Sequence, residues 1–196
     1  MATDEIIILN AKDHPSADKK TQMCIIVMEM LHSILCEPQN MDLVVKFANT
    51  ITNKWALLFF EKDTHPYIVV LALRILCRLL VTQGQTYLLK FRVGSDGMLV
   101  MQNLLRYHWN VFQVHEALIA TLLGIDVADI PIQASADLSR IITLHTQNAH
   151  RQIAIPEIFR VELALIDDGM REQKNSDLSG KLTKFICGLA HVLRHD

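Results

Sequence analysis

The sequence predicts an all-α protein, an armadillo- or HEAT-like α-solenoid of about eight or nine helices that fills residues 1–196 as a single domain. Three observations lead there. Hydrophobic residues make up 51% of the chain, which holds only 7 Gly and 5 Pro, a turn-poor balance that suits stacked helices better than a many-stranded sheet. Apolar residues return every three to four positions along most of its length. Helix starts recur about 20–25 residues apart, so pairs recur at roughly 40–47 residues, the period of HEAT and armadillo repeats, although no strict residue repeat accompanies it.

Taken in order, the opening Glu5–Asn10 run suits a strand or a frayed helix, and His14-Pro15-Ser16 breaks the chain and caps the next helix. That first helix is expected from Ala17 to Cys36, with Ile26, Met30 and Ile34 on its buried side, stopping at Glu37-Pro38. A second stretch covers Met41 to Glu61, bent near Asn53, with Leu43, Val44, Phe47 and Ile51 on one apolar face. Asp63-Thr64-His65-Pro66 is a helix-start signature, since Asp or Thr accepts from free first-turn N–H groups and proline needs none. The third helix, Pro66 to Gln83, is apolar nearly all round and ends at Gly84, so it is expected to be covered on most sides.

A short helix over Gln85–Phe91 comes next, then a Gly94–Gly97 turn into a helix reaching Tyr107, and another from Asn110 to Leu123. Ile125–Gln133, with Pro131, reads as a loop. Ser135-Ala136-Asp137 caps a helix running to Asn148, and two more are expected over Pro156–Glu172 and Asp177–Arg194, joined by Lys174-Asn175-Ser176.

The formal net charge of −2 supplies no basic field of the kind nucleic-acid binding draws on. Cys24, Cys36, Cys77 and Cys187 have no C-x-x-C spacing and lie in apolar runs, as reduced core thiols of a cytoplasmic protein do. The start, Thr3-Asp4-Glu5, lacks the basic region of a secretory signal. The longest apolar run, Tyr67–Val81, is interrupted by Arg74 and Arg78, each costing about 2.5–3.5 kcal/mol in mid-bilayer, so a buried helix is favoured over a membrane span.

Several residues together carry a family resemblance: Leu57-Leu58-Phe59-Phe60, Asp63-Thr64-His65-Pro66, Val69 to Leu76, Arg78-Leu79-Leu80, Gln83-Gly84, Tyr87, Lys90-Phe91 and Gly97. Over Trp55–Trp109 the chain resembles the armadillo-like helical region upstream of the BEACH domain in very large BEACH-domain scaffold proteins, the Alfy type and fungal Beige homologues. The resemblance implies a piece of a much larger cytoplasmic scaffold that serves vesicle trafficking, lysosome-related organelles or autophagy, and associates peripherally with endosomal or other vesicle membranes. Its expected partners are proteins: other regions of the parent chain, a second copy, or trafficking and autophagy proteins. The family's better-known functional residues lie in domains outside this stretch, so no binding residue transfers.

Chemistry-bearing patterns are few. His191 and His195 share a helix face at metal-ligand spacing but lack a third ligand and an intervening H-E-x-x-H glutamate. His108 with His115, and His145 with His150, read as surface or cap residues. Ser95 sits in a Gly-Ser-Asp-Gly turn that lacks both a nucleophile elbow and the Lys-Ser/Thr ending of a phosphate loop. Asp167-Asp168-Gly169 has the wrong order for a calcium loop and reads as a helix end or kink with its acids in solvent. The chain is therefore expected to be no enzyme and to use no metal or cofactor.

The partner-binding candidates are Arg74, Arg78, Tyr107 and Trp109. The arginines share one face of the third helix, where stems pack, heads stay wet, and a concave groove could meet acidic groups. An internal ion pair or a solvated stripe is the more ordinary use of such a pair. Tyr107 and Trp109, with Trp55 and Phe112, are aromatic-anchor candidates, although such rings more often fill helix crossings. The alternative function, a peripheral membrane or phosphoinositide-binding module, would use Lys19, Lys20, Lys90, Arg92 and Arg106.

Overall fold

The computed structural model describes residues 18–94, 96–132, 138–147, 154–172 and 180, and these form helices and turns without a β-strand. Seven α-helices are seen among them: α1 (Lys19–Leu35), α2 (Met41–Thr50), α3 (Pro66–Arg92), α4 (Gly97–Leu105), α5 (Phe112–Leu122), α6 (Ser139–Gln147) and α7 (Glu157–Glu172). Short 3-10 segments occupy Trp55–Phe59, Arg106–His108 and Val127–Asp129. The expectations for Glu5–Asn10, His14–Ser16, Ser95, the Ser135–Asp137 cap, His150, the Lys174–Ser176 linker, the Asp177–Arg194 helix, Cys187, His191 and His195 lie outside the described residues.

Helix starts follow local chemistry. Asp18 caps α1, its Oδ1 accepting from the Thr21 N–H at 2.7 Å, and Asp96 caps α4, accepting from the Met98 N–H at 3.0 Å. Such a cap contributes about 0.5–2 kcal/mol. The Asp63–Pro66 signature does open α3, but the cap is His65, whose Nδ1 accepts from the Tyr67 N–H at 3.3 Å, with Pro66 in the first turn. Gly84, at φ 57°, breaks α3 where the sequence places a helix end, and Gln85–Arg92 continues on a new axis. The second stretch likewise divides into α2 and the Trp55–Phe59 turn.

From Tyr67 through Leu80 every residue of α3 is buried, and so is every residue of α5. Helices apolar all round have to be covered on all sides. α1 packs on α3, α3 on α5, and α5 on α7, while α2 lies against α1 and α3, and α4 against α3 and α7. One continuous cluster of buried side chains extends from Ile25 to Ile166. At about 1.5–3 kcal/mol for each large side chain removed from water, this cluster is the dominant favourable term. By length and composition α3 could cross a membrane, but most of its apolar window is buried in this core.

The buried side of α1 is not the one the apolar spacing singled out. Ile25, Met28 and Leu35 face α3, whereas Ile26, Met30 and Ile34 are 54%, 61% and 46% exposed. In α2, Val44 and Ala48 are buried and Phe47 packs edge-on against Trp55, but Leu43 and Ile51 stay exposed. Nor does Gly169 end or kink its helix: α7 runs to Glu172, and a Cβ at Gly169 would sit 2.8 Å from the Trp109 ring. The absent side chain lets α7 lie flat on the indole.

Candidate functional site

α3 carries its two arginines inward rather than into a groove. Arg74 and Arg78 are only 2% and 1% exposed, which corrects the expectation of wet guanidinium heads. The reason is the surrounding set of acceptors. Arg74 Nε donates to His32 Nε2 of α1 at 3.1 Å, and Arg74 Nη2 donates to the Val127 and Ile130 carbonyls. Its Nη1 lies 3.8 Å from Glu116 of α5. Arg78 Nε lies 3.5 Å from Asp126, and its Nη2 donates to the Met41 sulfur at 3.4 Å. Within the described part of the expected loop, residues 125–132, the chain makes the Val127–Asp129 3-10 turn, and the Val127 and Ile130 carbonyls point inward to clasp α3.

Titration follows from that burial. His32 is pushed down to about 3 by desolvation and by the two guanidinium charges, so its Nε2 remains an acceptor. Desolvation raises the Asp126 carboxyl, against the hydrogen bond from the Ala128 N–H and the pull of Arg78. The Cys36 thiol rises to about 11 and Cys77 to about 12, both through burial. These thiols are protonated at neutral pH and poor nucleophiles.

A second buried pair joins α5 to α7. His115 Nδ1 lies 2.9 Å from Glu162 Oε1 and Nε2 lies 2.6 Å from the Trp109 carbonyl, with both side chains almost completely buried. The Trp109 carbonyl can only accept, so Nε2 carries a proton, and the Glu162 carboxyl group beside Nδ1 favours the protonated ring. Burial lowers the pKa of His115, but Glu162 and the Trp109 carbonyl outweigh it and the net direction is upward. His108 and His145 are buried too, which corrects the surface-or-cap expectation for all three. His108 Nε2 donates to the Glu61 carbonyl at 3.1 Å, and burial lowers its pKa. Among the described residues no three His, Cys, Asp or Glu side chains converge as metal ligands would.

The aromatic candidates separate. Trp109 is buried against Gly169, Trp55 is buried between Phe47 and Phe59, and Phe112 is buried in α5. Tyr107 alone of the four is exposed, at 51%, with Lys62 Nζ 5.7 Å from its ring centre. It lines a polar hollow with Asp18, Asp63, His65 and Asn110. The cationic set is similarly divided. Arg92 pairs with Glu157 at 3.1 Å and Arg106 with Asp168 at 2.9 Å, while Lys90 is exposed near the end of α3 and Lys19 and Lys20 lie together at the start of α1. Asp167 pairs with Arg171 along α7.

The surface feature that motif reading missed is the outer face of α1. Met23, Ile26, Val27, Met30 and Ile34 recur at helical spacing and are 46–66% exposed. Lys19, Lys20, Met23, Cys24, Val27 and Phe59 line a shallow, mostly apolar hollow at its first turns. The signal was present in the residues: α1 has apolar side chains on both faces, and among the described residues its neighbours α2 and α3 leave the outer one exposed. Comparison of the chain with protein-family models, with curated proteins and with solved structures gave no match.

Proposed function

We propose that this chain is a non-catalytic protein-interaction segment, an armadillo-like stack of helix pairs belonging to a BEACH-type cytoplasmic scaffold of vesicle trafficking, lysosome-related or autophagy processes. The observation that carries the binding reading is the apolar face of α1 that the described residues leave exposed, because protein surfaces rarely hold five large apolar side chains contiguous without a use. Support for a solenoid comes from spacing: α1, α3, α5 and α7 start at Lys19, Pro66, Phe112 and Glu157, about 46 residues apart, and each packs on the next. The residues behind the BEACH resemblance, chiefly Leu57, Phe60, Val69 to Leu76, Tyr87 and Phe91, are core residues, so they support a shared fold and leave partner choice to the surface.

The test is affinity capture from cytosol with the intact chain and with an Ile26→Glu/Met30→Glu variant of unchanged helicity. Retention of trafficking or autophagy proteins by the first and their loss from the second is the expected result. Identical capture by both would remove the α1 face as the binding surface. The peripheral-membrane alternative draws on Lys19 and Lys20 beside the same face. It predicts co-sedimentation with vesicles that rises with phosphatidylserine content.

A further inference from the structure

We propose that the outer face of α1 binds the same face of a second copy of this chain, with the two α1 helices antiparallel and crossing next to Met28 and Glu29. This proposal rests on the protein-binding reading above and specifies its partner. The argument is the order of residues along the face. In an antiparallel pair centred there, Met23 lies opposite Ile34 of the other copy, and Val27 lies opposite Met30. Reversing the roles of the copies reproduces the same pairs, as a twofold interface demands. Every antiparallel register of a helix on its own copy has that symmetry; this one is distinguished by setting all four of these apolar side chains against apolar partners.

Charge selects the same register. Lys20, exposed in the first turn of α1, falls opposite Glu37, exposed just beyond its end, so two lysine–glutamate pairs close the two ends of the stripe. A parallel pair would instead set Lys19 and Lys20 against their own copies and Glu37 against Glu37. Glu29, the acid nearest the crossing, lies beside the Tyr67 hydroxyl of its own chain, so no unpartnered carboxylate obstructs the centre. Met23 and Met30 supply flexible thioethers that fit an apposed helix without demanding close shape match.

The intact chain is followed by light scattering over a range of concentrations. A mass that rises toward two chains, and falls back to one in Val27→Asp/Met30→Asp with helicity preserved, is the expected result. Glu37→Lys weakens the dimer by about threefold to tenfold, the size of two exposed ion pairs, and adding Lys20→Glu in the same chain restores it. In a Cys24→Ser background, Met23→Cys mixed with Ile34→Cys gives a 23–34 link with a short bis-thiol reagent, whereas a link between two copies of position 23, about 16 Å apart along the axis in the antiparallel pair, overturns that register.

A mass of one chain at every concentration overturns the dimer. If such a monomer still captures other proteins through the stripe, the dimer falls and the protein-binding reading stands. If it instead needs the stripe only for phosphatidylserine vesicles, both fall.

Discussion

Arg74 shows what a buried charge does in this fold. Its guanidinium ties α1, α5 and the Val127–Ile130 loop to one point of α3, and each of those groups is arranged around it. Arg74→Ala removes that donor while Glu116 and two carbonyls stay buried, so a loss of about 3–5 kcal/mol is expected in urea unfolding. The histidines make two opposite pH predictions. His32 has a folded pKa of about 3, below the unfolded value near 6.5, so its contribution is complete above pH 6.5 and is lost as pH falls toward 3. The slope is at most about 1.4 kcal/mol per pH unit, and His32→Gln, which keeps an acceptor for Arg74, flattens it in unfolding curves. His115 has a raised folded pKa, so its pairing with Glu162 is complete below the unfolded value and is lost as pH rises through the folded one. Glu162→Gln brings the His115 titration down, as read from its ring proton resonances.

Among the helices, two glycines act in different ways. Gly84 has the positive φ that turns the chain between the halves of α3, with open space around it, so Gly84→Ala is a backbone penalty of about 1 kcal/mol or more rather than a clash. Gly169 is a packing glycine, and Gly169→Ala forces α7 off the Trp109 ring. A cost of about 1–3 kcal/mol is expected, with a shift in tryptophan emission that Gly84→Ala does not produce. Helix boundaries were largely legible: the Gly84 break, the start of α4 at Gly97, and the positions of α5 and α7 follow from glycines, turns and periodicity. The facing of α1 was not, since its apolar residues occupy both sides and only α3 decides that Ile25 and Met28 turn inward while Ile26 and Met30 turn out.

Over the whole molecule, α3 and α5 are the innermost elements and α1 the outermost of the apolar ones. Amide exchange is therefore expected to be slowest in Val69–Leu80 and Val114–Leu122, opening only with global unfolding. Exchange in Met23–Ile34 is expected to slow as protein concentration rises. Uniform protection of α1 at all concentrations would count against association through that face.

The class of structure and the division into elements were determined by the sequence itself, because helical period, caps and glycine breaks act within a few residues. It also contained every residue of the Arg74 and His115 clusters, without the means to assemble them. His32 and Asp126 lie far from Arg74 in the chain, and Glu162 far from His115, so only packing brings them together. Tertiary structure decided which charges lie inside and which apolar face is left over. That choice depends on how many neighbours each helix has, a property of the stack and not of any local run of residues.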